Sequence, residues 1–121
     1  MKTYIAGKIT GLDNYKEVFA RAESYLKLRG HTTVNPTGLY NILGDKFEHH
    51  EYMHICYSLI DLCDFVYCLD NWKDSKGARL EVEYAKAKNK IIVEMENTIW
   101  HHTKKYLITT DIQNKKEKNN D

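Results

Sequence analysis

Four short apolar or β-branched runs, separated by segments of helical period, constrain this chain more than any other feature. They are Tyr4-Ile5-Ala6, Thr32-Thr33-Val34, Phe65-Val66-Tyr67-Cys68-Leu69 and Ile91-Ile92-Val93. Such runs suit short strands buried within a sheet. Between the first two, Tyr15, Val18, Phe19, Ala22, Tyr25 and Leu26 recur at spacings of three and four, which predicts a helix with one buried face. Asn14, with Glu17 at the capping-box position, opens that helix, and Gly30 closes it. Met53, Cys56, Ile60 and Cys63 form a second stripe, with Tyr52, Ile55 and Leu59 beside it, in a helix expected over residues 48–62. A third helix opens at Gly77 and runs to about Lys88. Residues 37–47 show no clear period and read as a long loop, and residues 70–76 read as a polar loop carrying Trp72. Residues 98–107 are expected to be a last helix, with an edge strand over 106–109 as the alternative.

The alternation of strand and helix predicts an α/β fold. It is expected to be a single flavodoxin/Rossmann-like domain, a parallel four- or five-stranded sheet with helices on both faces and right-handed crossovers. The 121 residues suffice for one domain. Residues 1–110 are assigned to it, and 111–121 to a polar, flexible tail rich in Lys and Asn. A net charge of +1 gives no broad field to attract a nucleic-acid polymer or a membrane surface. No apolar run approaches the ~20 residues of a membrane helix, and Met1-Lys2 leads straight into the first strand, with no secretory leader. Cys56, Cys63 and Cys68 are odd in number and lie in apolar surroundings, so they read as reduced core thiols of a cytoplasmic protein.

In parallel sheets ligands bind outside the carboxyl ends of the strands, near the switch in strand order. The loops expected at that edge are residues 7–13, 35–47, 70–76 and the segment after Glu94. The helix opening there reads Asp74-Ser75-Lys76-Gly77-Ala78-Arg79-Leu80-Glu81. Ser75 is either an ordinary helix cap or, with the free N–H groups of the first turn, part of an anion site. Gly77 and Ala78, almost without side chains, leave space one turn before Glu81. The helix dipole is expected to favour its charged form. Glu81 is then either an ordinary first-turn acid or a nucleophile poised to attack a sugar carbon.

Tyr4-Ile5-Ala6-Gly7, Gly11, Asn35-Pro36, Cys63-Asp64, Trp72 and the run Ser75-Lys76-Gly77-Ala78-Arg79-Leu80-Glu81 together resemble the small nucleoside 2-deoxyribosyltransferase-like proteins, most nearly a branch found in phages and bacteria and related to nucleoside 5′-monophosphate N-glycosidases. The resemblance spans residues 1–93. It implies that Glu81 attacks the anomeric carbon of a nucleoside or nucleotide, that the base leaves, and that water or a second base resolves the glycosyl-enzyme. Tyr4 would orient Glu81, or else is a strand-packing aromatic. Ser75, where the nucleoside transferases tend to hold Asp, implies a phosphorylated ligand. The loop Gly7-Lys8-Ile9-Thr10-Gly11 would complete the phosphate cradle, with Lys8 supplying charge. Asn35, Cys56, Asp70, Trp72, Gly77 and Ala78 complete the expected binding residues. No cofactor and no metal are implied, and a homodimer or larger homo-oligomer is expected.

One position departs from that pattern. The family's enzymes usually carry an Asp eight residues before the one matching Asp64, for sugar binding or protonation of the leaving base, and Cys56 stands there. A neutral thiol is a poor acid near neutral pH. Either another acid serves, with Asp70 or Asp74 as candidates from the neighbouring loop, or the site binds a nucleotide without cleaving it. Trp72 either stacks on a base or packs against the last helix. Tyr40 and Phe47 are lid residues or local packing. His50 and His54, one turn apart beside His49, have zinc-like spacing without a third and fourth ligand, and read, like His101-His102, as surface or lid-facing histidines.

Overall fold

The computed structural model describes residues 1–95. Four parallel strands, β1 (Lys2–Ala6), β2 (Thr32–Val34), β3 (Phe65–Cys68) and β4 (Ile91–Glu94), stand in the order β2-β1-β3-β4. The register pairs Tyr4 with both Val34 and Val66, and Val66 with Ile92. The helices are α1 (Tyr15–Leu28), a short α2 (Leu39–Leu43), α3 (His49–Asp61) and α4 (Lys76–Ala87). The expected last helix over 98–107, its alternative strand, His101-His102 and the tail lie outside the described residues.

Side-chain alternation along the strands divides the core. Ile5, Phe65, Tyr67, Leu69 and Val93 meet Phe19, Ala22 and Leu26 of α1 on one face. Tyr4, Ala6, Val66 and Cys68 meet Cys56, Ile60 and Cys63 of the α3 region and Val82 and Ala85 of α4 on the other. The stripes read from the sequence are the buried ones in both α1 and α3. Asp64 lies at the far end of the sheet, where its carboxylate accepts the Lys2 backbone N–H at 3.1 Å.

Three local expectations change. The capping box forms on α3, where the Glu48 and Glu51 side chains each accept a backbone N–H of the other's segment, and Asn14 of α1 makes no side-chain cap bond. Glu48 has the extended backbone that reciprocal bonding needs, whereas Asn14 lies at φ −99° and ψ 24°, outside the extended region. Residues 37–47 are not wholly a loop: Pro36–Gly38 forms a 3₁₀ turn that runs into α2. Pro36 at its first position has a preset φ, and Asn35 caps it. These local signals operate without the long apolar stripe that makes a helix visible in sequence. The loop after β3 likewise contains a 3₁₀ turn at Trp72–Asp74.

The chain moves outward from β1 to β2, then crosses back to β3. The switch in strand order therefore lies between β1 and β3, and the loops that follow those strands face one another there. They are tied together: the Lys8 backbone N–H donates to Asn71 Oδ1 at 2.9 Å, and the Leu69 N–H to the Ala6 carbonyl at 2.8 Å. Gly7 is required by this approach. A Cβ there would lie 2.5 Å from Leu69 Cδ1.

Candidate active site

A cavity of about 450 Å³ opens at this switch point, lined by Gly7, Ile9 and Thr10 of the first loop, Tyr40 of α2, His49 of α3, and Ser75, Lys76, Gly77, Ala78 and Glu81 of α4 and its cap. A smaller recess of about 40 Å³ shares Gly7, Ile9, Tyr40 and Glu81 with it and adds Tyr4, Pro36, Tyr52 and Cys56. The cavity thus joins a glycine loop to the start of a helix, with a carboxyl group between them.

Ser75 is the N-cap of α4, and its Oγ accepts the Ala78 N–H at 3.1 Å. The N–H groups of Lys76 and Gly77 belong to the first turn and have no intrahelical acceptor, so they remain available to an anion in the cavity. Both readings of Ser75 are therefore compatible: it caps the helix and lines the cavity.

Glu81 is placed differently from the sequence expectation. α4 starts at Lys76, so Glu81 is the sixth residue of the helix and lies in its second turn, where the dipole is weak. Its side chain is 7% exposed. Burial raises its carboxyl to about 7, and hydrogen bonds from Tyr4 and Cys56 offset part of that rise. Near neutral pH Glu81 is thus balanced between protonated and ionised forms, rather than held charged by the dipole. Burial dominates because α3 and β1 cover this position from both sides.

Two groups hold the carboxyl. The Tyr4 hydroxyl donates to Glu81 Oε2 from β1. The Cys56 thiol, on α3, bonds the same carboxyl. Burial, then the neighbouring Glu81 charge, pushes Cys56 up to about 12, so it remains a protonated donor. Burial likewise keeps the Tyr4 phenol well above its ordinary range. The result is one titrating carboxyl between two fixed donors. Tyr40 stacks on Tyr52 with ring centroids 4.8 Å apart and meets Tyr15 at 6.2 Å, and the Tyr52 hydroxyl donates to the Gly44 carbonyl. These contacts fix the aromatic wall of the cavity.

The other expected binding residues are dispersed around this centre. Gly11, at φ +80°, shapes the turn in which the Leu12 N–H meets the Ile9 carbonyl, and neither it nor Lys8 is among the lining residues. Asn35 Oδ1 accepts both the N–H and the hydroxyl of Thr37, at 3.1 and 2.7 Å, so its side chain serves the turn after β2. The Trp72 indole N–H donates to Glu94 Oε1 at 3.2 Å, and its ring packs on the α3/α4 core. Asp70 and Asp74 are exposed, and neither lines the cavity. Phe47 borders a separate surface groove with His50, Glu51, His54, Ile55 and Tyr57. No spacing or motif singles out Asn71 as the tie between loops, or Lys76 and His49 as cavity residues. His49 is visible only once the cap of α3 is known, because that cap decides which of three clustered histidines begins the helix.

Residues 1–94 match the family described as "Domain of unknown function (DUF4406)", and the chain belongs to it. No curated protein matches the chain. Among solved structures it is similar to a 2-deoxyribosyltransferase from the psychrotolerant bacterium Bacillus psychrosaccharolyticus, at 23% identity and a TM-score of 0.58, over 78% of this chain and 71% of that one. It is similar to a 2-deoxyribosyltransferase from Leishmania mexicana at 18% identity and 0.60, over 78% of this chain but only 63% of that one. It is also similar to the CMP N-glycosidase BcmB of Clostridium botulinum at 18% identity and 0.59, over 93% of this chain and 99% of that one. These likenesses establish the α/β fold shared with those proteins.

Proposed function

We propose that this member of the DUF4406 family is an enzyme that cleaves or transfers at the N-glycosidic bond of a (deoxy)nucleoside 5′-monophosphate. One observation carries the reading. Glu81, almost fully buried, lines the cavity between a glycine loop and a helix start, and is held there by Tyr4. In its ionised form the carboxylate attacks the anomeric carbon and the base departs. Water, or a second base, then releases the sugar from Glu81. The Tyr4 donor holds Oε2 and orients the carboxylate for attack. Ser75, the Lys76 and Gly77 N–H groups and Gly7, Ile9 and Thr10 of the first loop receive the 5′-phosphate, with Lys76 at the rim. Neither a metal nor a cofactor has a step in this scheme.

A second reading has its own observation. Cys56, at the place of the resembled enzymes' Asp, is held near 12 and is no acid for a leaving base. In that reading the same pocket binds a nucleotide and leaves it intact. The fold relatives and the resemblance to the nucleoside 2-deoxyribosyltransferase-like enzymes favour the enzyme. Buried thiols at Cys56 and Cys63 support a cytoplasmic setting, and no helix among the described residues is long and apolar enough to cross a membrane. A homo-oligomer completing the site belongs to the proposal, and full activity in a strictly monomeric protein would remove it.

The test is base release from a panel of ribo- and deoxyribonucleoside 5′-monophosphates, followed by chromatography, with Glu81→Gln as control. Release that vanishes in the variant supports the enzyme and names its substrate. Tight binding of one nucleotide, recovered intact after long incubation, favours the binding protein.

A further inference from the structure

The proposed cleavage requires a proton for the departing base, and the groups already discussed do not supply one. The Cys56 thiol is held in its protonated form, Tyr4 is engaged by Glu81, and burial raises the Tyr40 phenol. Asp70 and Asp74 do not line the cavity. Lys76 does, but a lysine ammonium is ordinarily too weak an acid to protonate a leaving group at neutral pH. The remaining side chain on the cavity wall that could deliver a proton is His49, and histidine is the commonest side chain in general acid catalysis.

Its placement suits the role. His49 is the first residue of α3, on the wall facing the start of α4. A Cβ placed on Gly77 would lie 3.4 Å from His49 Nε2 and 3.6 Å from Met53 Sδ. The ring therefore lies within van der Waals reach of the space beside Gly77. Gly77 precedes Glu81 by one helical turn on α4, and His49 and Glu81 line the same cavity.

We propose that His49 is the general acid of the reaction, in place of the carboxyl group that Cys56 replaces; the inference rests on Glu81 being the nucleophile. A Glu81 carboxylate oxygen forms the bond to the anomeric carbon, the bond from that carbon to the base nitrogen breaks, and its electron pair goes to the base. The base takes the proton from His49 Nε2, leaving the imidazole neutral. In hydrolysis, water then attacks the anomeric carbon, its proton returns to His49, and the Glu81 ester bond breaks to restore the carboxylate.

The test compares two leaving groups. Wild type, His49→Asn and Glu81→Gln are assayed on the preferred nucleoside 5′-monophosphate and on the matching 4-nitrophenyl glycoside 5-phosphate, whose nitrophenolate departs without protonation. Loss of an acid is expected to lower kcat on the nucleotide by about 10²–10³-fold, to change nitrophenolate release by less than about 5-fold, and to leave KM nearly constant. An equal loss on both substrates would make His49 a binding or packing residue and overturn the assignment. Full activity of His49→Asn on the nucleotide, with Glu81→Gln inactive, would overturn it while leaving Glu81 in place. Absence of any Glu81-dependent release from either substrate would overturn both.

Discussion

The two faces of the sheet are built from the same strands and differ in one respect. On the α1 face, Ile5, Phe65, Tyr67, Leu69 and Val93 close against Phe19, Ala22 and Leu26, and the contact is almost entirely apolar. On the α3/α4 face the core is similar through Ile60, Val66, Val82 and Ala85. At its carboxyl-edge end, however, Tyr4 and Cys56 enclose the Glu81 carboxyl. Strand β1 serves both, because successive side chains point to opposite faces: Ile5 goes to the stable side and Tyr4 to the reactive one. The difference teaches that a single ionisable group, buried at the edge of an otherwise apolar layer, makes that layer a site. It also makes the layer sensitive to pH.

The comparison can be broken most severely at Glu81. Glu81→Gln keeps the shape and removes the proposed nucleophile, so turnover is expected to fall by at least about 10³-fold in a base-release assay, with the fold intact by circular dichroism. Leu26→Ala, buried on the opposite face and outside the cavity and its recess, is expected to do the reverse: unfolding free energy drops by about 2–5 kcal/mol in urea titration, while the folded fraction retains its turnover.

Stability against pH separates the faces next. The folded-state carboxyl of Glu81 lies near 7, above its ordinary 4.5, so folding favours the protonated form. Its contribution is fully present below pH 4.5, declines as pH rises, and is lost above about 7. The difference amounts to roughly 3 kcal/mol. Urea titrations of wild type and Glu81→Gln at pH 4.5 and pH 8 should therefore show the variant gaining on wild type at the higher pH, and a constant gap between them would contradict the burial argument. On the 4-nitrophenyl substrate, whose leaving group needs no acid, activity should rise through about pH 7 as the carboxylate forms.

Smaller effects sharpen the picture of the donors. Tyr4→Phe removes a hydrogen bond to the ionised form, at a cost of about 10–10²-fold at neutral pH, and moves the midpoint of the activity rise above that of wild type. Cys56→Ser keeps a donor in the same place, and is expected to change turnover by no more than about 3-fold, measured beside Cys56→Ala, which removes the donor.

The sequence was legible where one signal dominated. Four strand runs, the stripes of α1 and α3, and the Ser75-to-Glu81 segment could each be read from residue type and spacing. The protonation balance of Glu81 was not legible in the same way. It depends on α4 beginning at Lys76 and on α3 covering the second turn, and both are tertiary facts. The resemblance implies Asn35 as a binding residue, and in the fold its Oδ1 accepts from Thr37 two residues ahead. The helical turns after Pro36 escaped because they are too short to show a period. His49 was hidden among His50 and His54, since three clustered histidines at a helix start do not reveal which one faces the cavity.

The central claim is that Glu81 becomes covalently attached to the sugar. Its most direct test is to mix the protein with the substrate nucleotide, quench in acid within a turnover, and measure intact and peptide masses. The account expects the mass of one sugar phosphate added to the peptide containing Glu81, and no addition in Glu81→Gln. Base release by wild type with no adduct, or an adduct on another residue, would contradict it.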